Sequence, residues 1–188
     1  MSHEKGNYIP RAMLTCVLFF VLILLQSSFA DNNLEFNISS LCPGGRSSPT
    51  YKKIEGAVIT SDDDNHESCI VTFQTNSILQ LFMLRFEHLA LGCEDHLFIF
   101  DSAHAIGIGS YVAHVSCRAT VSDVGTVFMR SNFLTLRFSK SSYNFEGSGF
   151  KLILTAVKSP KLLRDNKDVK CRAFECRNMF CISRSLIC

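Results

Sequence analysis

Cysteine is the residue type with most chemistry to offer in this chain. Nine occur, at positions 16, 42, 69, 93, 117, 171, 176, 181 and 188. Thiols at such a density ligate metal, act as nucleophiles or pair oxidatively, and the redox compartment decides which. His66, His88, His96, His104 and His114 share a region with Asp95 and Asp101, a set from which zinc ligands could be drawn. No His-Glu-x-x-His helix and no short paired spacing organises them, so a structural or surface role is expected. No Gly-x-Ser-x-Gly segment frames a serine nucleophile. The run Asp62, Asp63, Asp64 reads as a solvated loop rather than a cation site. No catalytic residue and no cofactor is predicted.

The compartment follows from the first thirty residues. Lys5 and Arg11 precede the apolar run AMLTCVLFFVLILL at 12–25, and small residues Ser28 and Ala30 make an Ala-x-Ala-like cleavage site. That arrangement predicts a secretory signal peptide over 1–30. The apolar run falls short of the roughly 20 residues that a spanning helix needs, and no second run of membrane length follows it. Cleavage after Ala30 would remove Cys16 and leave eight cysteines, an even number on an exported chain. The expected cysteine chemistry is therefore crosslinking, in a secreted, extracellular product without a membrane span. Asn37-Ile38-Ser39 then becomes a glycosylation acceptor at Asn37.

These residues need elements to hold them. The segments GAVIT, CIVTFQT, ILQLFMLRF, HLFIF, GSYVAHV, VGTVFMR, FLTLRFS and GFKLILTAV recur between residues 56 and 157. They alternate or are rich in β-branched and aromatic side chains, with turn-rich pieces such as SDDDN and EGSG between them. The pattern predicts an all-β chain, an antiparallel β-sandwich of about eight to ten strands. Phe82, Phe86, Phe98 and Phe100 are expected in its core. After Val157 the β pattern stops, and 158–170 reads as a linker. Residues 31–157 carry nine Lys or Arg against thirteen Asp or Glu, whereas 158–188 carry eight against three. The basic balance of the tail reads as a solvated linker, and no basic stripe interleaved with aromatics points to nucleic acid.

Cys42, Gly56 with AVIT, Cys69 opening CIVTF, LRF followed by LAL, Cys93 opening CEDHLFIFD, Cys117 and LTLRFSKSSYNFEGSGFKL together resemble a CUB domain over residues 42–157. The resemblance implies a jelly-roll-like sandwich with consecutive bridges, Cys42 with Cys69 and Cys93 with Cys117. That family usually has Trp two residues after its second cysteine; Val71 stands there. Many members hold calcium with a Glu before the third cysteine, an Asp just after it and a second Asp in a Phe-Ser-Asp-x-Ser turn. The corresponding positions are Gly92, Asp95 and Lys140. One carboxylate of three does not meet calcium's need for six to eight oxygens, and a cation in the ring repels the ion. No metal is expected, and Lys140 is expected to neutralise Asp95.

Cys171, Cys176, Cys181 and Cys188, spaced as Phe-x-Cys, Cys-x4-Cys and Cys-Ile-x5-Cys, are similar to the first half of a low-density-lipoprotein-receptor class A repeat. Such a repeat has six cysteines and an acidic second half that holds calcium. Here 171–188 forms a partial repeat, consistent with a truncated or alternatively ended product, an incomplete gene reading, or a degenerate tail paired within itself. Cys171 and Cys181 are expected in a disulfide, with Cys176 or Cys188 open to a disulfide-linked oligomer, although the pairing among the four is not fixed by sequence. A piece this small is expected to be disordered or locally stapled.

Together these readings describe a secreted, non-enzymatic binding module for an extracellular protein or receptor ectodomain, a soluble form of a receptor-clustering or receptor-modulating ectodomain. Loops at one end of the sandwich would make the contact. The alternatives are a noncatalytic fragment of a secreted CUB-containing protease and a carbohydrate-binding secreted protein.

Overall fold

The computed structural model describes residues 34–42, 50–61, 68–105, 110–141, 148–159, 171 and 173–187. Outside them lie the signal segment with Cys16, residues 62–64, His66, residues 160–170 of the linker, and Cys188.

The described elements are, in chain order, β1 (Glu35–Asn37), α1 (Ile38–Leu41), β2 (Thr50–Lys53), β3 (Gly56–Ser61), β4 (Ser68–Gln74), β5 (Leu81–Ala90), β6 (His96–Phe100), β7 (Tyr111–Val115), α2 (Val121–Val124), β8 (Thr126–Phe128), β9 (Phe133–Ser139), β10 (Gly149–Lys158), β11 (Phe174–Glu175), β12 (Cys181–Ile182) and a 3₁₀ turn, Arg184–Leu186. All eight expected strand segments form strands. Their side-chain period of two turns one face inward and one outward.

The strands make two sheets. In the five-stranded one the order is β2-β4-β9-β6-β7. In the seven-stranded one β10 is central, pairing with β5 along one edge and with β3 and then β12 along the other; β1 extends beyond β3, β8 beyond β5 and β11 beyond β12. Pairing is antiparallel except at β1 with β3 and β2 with β4, which are parallel. The wholly antiparallel expectation is corrected at these two edges, where short strands without a periodic signal run alongside longer neighbours.

Between the sheets lies one core. Ile59, Leu84, Leu152 and Leu154 meet Val71, Phe73, Leu97, Ile99, Leu134 and Leu136, all at 0–1% exposure. Fully burying such a side chain contributes about 1.5–3 kcal/mol each, so this cluster is the main driving force for the fold. Phe86, Phe138 and Phe150 pack edge to face within it, filling volume that no Trp supplies. The structure joins Cys42 to Cys69, tying the end of α1 to β4, and Cys93 to Cys117, tying the β5–β6 turn to the segment after β7. Gly149 has φ 152°, and a Cβ there would lie 2.4 Å from the Ser61 carbonyl oxygen. Only Gly lets β10 start so close to β3, where Phe150 N–H donates to Ser61 Oγ at 2.8 Å.

The cysteine-rich tail is docked on the sandwich. β12 pairs with the end of β10 (Val157 with Ile182, Lys158 with Cys181), which carries β10 one residue into the expected linker. Cys171 is bonded to Cys181, Phe180 stacks on Phe128 with centroids 5.2 Å apart, and Leu186 covers Gly56. The described part of the tail is thus stapled and ordered, since the edge and outer surface of the seven-stranded sheet supply the apolar partner that its own few residues lack.

Candidate functional site

Asp95 follows the short turn after β5 and is 3% exposed. Its Oδ2 accepts from Gly92 N–H at 3.1 Å and its Oδ1 from Ser141 N–H at 2.8 Å, while its own N–H donates to the Gly92 carbonyl at 3.0 Å. Asp95 therefore ties the β5–β6 turn to the end of β9 through backbone amides. Lys140 is also buried, 8% exposed, but the ion pairs among the described residues are Arg85–Glu87 and Lys151–Glu87, and none joins Lys140 to Asp95. At Gly92 a Cβ would come within 3.0 Å of Asp95 Oδ2, so a Glu there would crowd the carboxylate it should help. The three sequence-predicted positions meet in space around one carboxylate, and its oxygens are turned onto amides.

Asp101 is similarly occupied. Its carboxylate accepts from the N–H of Arg130 at 2.7 Å, the N–H of Ser131 at 3.0 Å and Ser131 Oγ at 2.6 Å, ordering the turn before β9. Among the described residues no group of three or more His, Cys, Asp or Glu comes together. Asn37 caps α1, its Oδ1 accepting from Ser39 N–H at 3.0 Å, and is half-buried rather than fully exposed. Of the tail thiols, Cys176 is free and half-buried.

The outward face of the five-stranded sheet holds what sequence reading missed. Strict alternation along β6 sends Leu97 and Ile99 into the core and His96, Phe98 and Phe100 to the other side. The expectation that Phe98 belongs to the core is thereby corrected, whereas Phe100 is buried, at 7% exposure, on the opposite face of the sheet from Leu97 and Ile99. Phe100 is covered where the chain after β6 crosses this face: Thr72 Oγ1 donates to the Ala103 carbonyl at 3.3 Å and Thr135 Oγ1 to the Ser102 carbonyl at 2.7 Å. Phe98 stays half-exposed.

Register assembles a stripe across the strands. Phe98 pairs with His114 on β7 and with Arg137 on β9, and Arg137 pairs with Ile70 on β4. The His114 ring stacks on Phe98 with centroids 4.4 Å apart and planes 5° from parallel. On the other flank, the Arg137 guanidinium carbon lies 5.1 Å from the Phe98 ring centre. His114 Nε2 and His96 Nδ1 share a hydrogen bond of 3.0 Å. Burial, aided by the neighbouring His96, holds the His114 imidazole below its ordinary range. Nearby Tyr111 and Tyr51 are about half exposed, at 49% and 53%. The signal was present in the sequence as H-L-F-I-F, where the period of two could have been read as two faces.

A concavity of about 260 Å³ lies where the tail meets the sandwich and is lined by Glu55, Asn76, Gln80, Lys158 and Ser183 among others. Hydrogen bonds from the Ser183 side chain, and then from Asn76 and Ser185, hold the Glu55 carboxyl below the usual carboxylate range against the opposing effect of burial.

No protein-family model and no curated protein sequence matches the chain. Solved structures to which it is similar include the full extracellular region of zebrafish Gpr126/Adgrg6, at 15% identity and TM-score 0.45 over 61% of this chain and 15% of that one. Others are the CUB1-EGF-CUB2 domains of rat MASP-1 (16% identity, TM-score 0.44, 67% of this chain and 49% of that one) and of human MASP-1/3 (18%, TM-score 0.42, 56% and 41%). The chain spans less than half the length of each of these.

Proposed function

We propose that this chain is a secreted, non-enzymatic module of CUB type that binds an extracellular protein. The observation that carries the reading is the stripe of His114, Phe98, Arg137 and Ile70 on the outward face of the five-stranded sheet. Aromatic and Arg side chains are what protein interfaces concentrate, and a half-exposed Phe between an imidazole and a guanidinium is a poor choice for a face meant only for water. Three disulfides among the described residues support an oxidising, extracellular setting. Residues 62–67, 106–109 and 142–147 lie outside the described set, and the sheet face is the contact surface favoured here.

The test is binding of the secreted chain to cell surfaces after separate protease and glycosidase treatments. Loss of binding on protease treatment is expected. Retention after protease with loss after glycosidase would replace the reading with the carbohydrate-binding alternative.

A further inference from the structure

We infer that the outward face of the five-stranded sheet receives an acidic peptide segment, one in which a carboxylate neighbours an apolar side chain. The inference rests on the protein-binding reading above and names the chemistry of the partner.

Charge distribution between the two sheets is the first observation. None of β2, β4, β6, β7 and β9 contains an Asp or Glu, yet Lys53 and Arg137 are exposed on them, with the paired imidazoles of His114 and His96 beside Arg137's ring partner Phe98. On the seven-stranded sheet the cations Arg85 and Lys151 both reach Glu87, at 3.7 and 3.0 Å. The strands of one sheet carry cations together with the carboxylate that pairs them, whereas the strands of the other carry cations and no carboxylate. Arg137 in particular has no ion-pair partner among the described residues.

The second observation is where those cations stand. The Arg137 guanidinium carbon lies 5.1 Å from the centre of the Phe98 ring, and a guanidinium placed over a ring can still offer its edge N–H groups to a carboxylate in a two-point bond. Beside it, Ile70 and the edge of Phe98 offer apolar contact. A sulfated glycan would use the charges and leave Phe98 and Ile70 unsatisfied. An acidic peptide with Leu or Phe next to Glu uses both.

The test uses the full chain produced by a secretory host and three probes: a labelled ten-residue peptide alternating Glu with Leu and Phe, its Gln-for-Glu counterpart, and a heparin hexasaccharide. The Glu peptide is expected to bind, with affinity falling as salt rises, and the Gln peptide to bind about tenfold or more weakly. Arg137→Glu should weaken the Glu peptide about tenfold and gain affinity for a Lys-for-Glu peptide, a swap that a misfolded variant cannot show. Phe98→Ser should weaken the Glu peptide while the thermal transition is retained. Equal binding of the Glu and Gln peptides, indifference to Arg137→Glu, or binding of the hexasaccharide in place of the Glu peptide would overturn the assignment. Protease-sensitive cell binding that survives both variants would overturn it while sparing the protein-binding reading; absence of any protease-sensitive cell binding by the unaltered chain would remove both.

Discussion

Replacing Asp95 by Ala separates a structural carboxylate from a metal ligand. The buried side chain accepts from two backbone amides, of Gly92 and Ser141, at 3.1 and 2.8 Å. Deleting it leaves both donors in a site that is 3% exposed. Each orphaned donor costs about 1–3 kcal/mol, partly offset because a charge no longer needs to be buried, so the loss is placed at about 3 kcal/mol. Against a urea slope of about 2 kcal/mol per molar, the unfolding midpoint should fall by about 1.5 M. Asp95→Asn keeps one acceptor oxygen and should lose about half as much. Calcium supplies the contrasting arm: an ion bound 100-fold more tightly than its concentration would add about 2.7 kcal/mol. Unfolding curves of the unaltered chain with and without millimolar calcium should coincide. An Asp95→Ala midpoint within about 0.3 M of the original, or a calcium-dependent rise that Asp95→Ala abolishes, would refute the reasoning.

Cys93→Ser should remove about 3.5 kcal/mol, the chain-entropy effect of a bridge closing 24 residues, a large share of a stability of about 5–15 kcal/mol; secretion yield should collapse, as read by immunoblot of medium against cell lysate. Phe180→Ala should loosen the tail alone, so that hydrogen exchange rises at 174–187 while β5 and β10 keep their protection. Glu55 ties tail to sandwich with its carboxyl below the ordinary range; a depressed acid stabilises fully above its unfolded value near 4.5 and loses that contribution as pH falls through the folded one. Tail protection factors should therefore fall below about pH 4.5, and that fall should vanish in Glu55→Gln.

The legible part of this fold was the part written in long alternating strands. GAVIT, HLFIF and GFKLILTAV each specify a face as well as an element, because the side-chain period is two. Strands β1, β2, β11 and β12 were not legible. They are two to four residues long, and what makes them strands is a neighbour's exposed edge rather than any pattern of their own. The tail shows the same limit at larger scale. Its cysteines were readable as a unit too small to fold alone; that Phe180 finds Phe128 and Leu186 finds the bare surface at Gly56 depends on contacts across more than fifty residues.

The site was half legible for a related reason. Asp95, Gly92 and Lys140 are distant in sequence from one another only at Lys140, and the family resemblance gathered them; which partners the carboxylate takes was decided by amide geometry that no motif records. Phe98 was misread because hydrophobicity alone assigns a Phe to the core, whereas alternation assigns it to the face opposite Leu97 and Ile99. Once Phe98 is outside, the placement of Arg137 and His114 follows from register, since β9 and β7 flank β6 and each contributes the residue opposite Phe98. A guanidinium over an outward ring, on a sheet whose strands hold no carboxylate, leaves a surface that an acid complements. The seven-stranded sheet carries that acid itself, in Glu87. The strands of the five-stranded sheet hold none, and this difference is the physical content of the partner assignment.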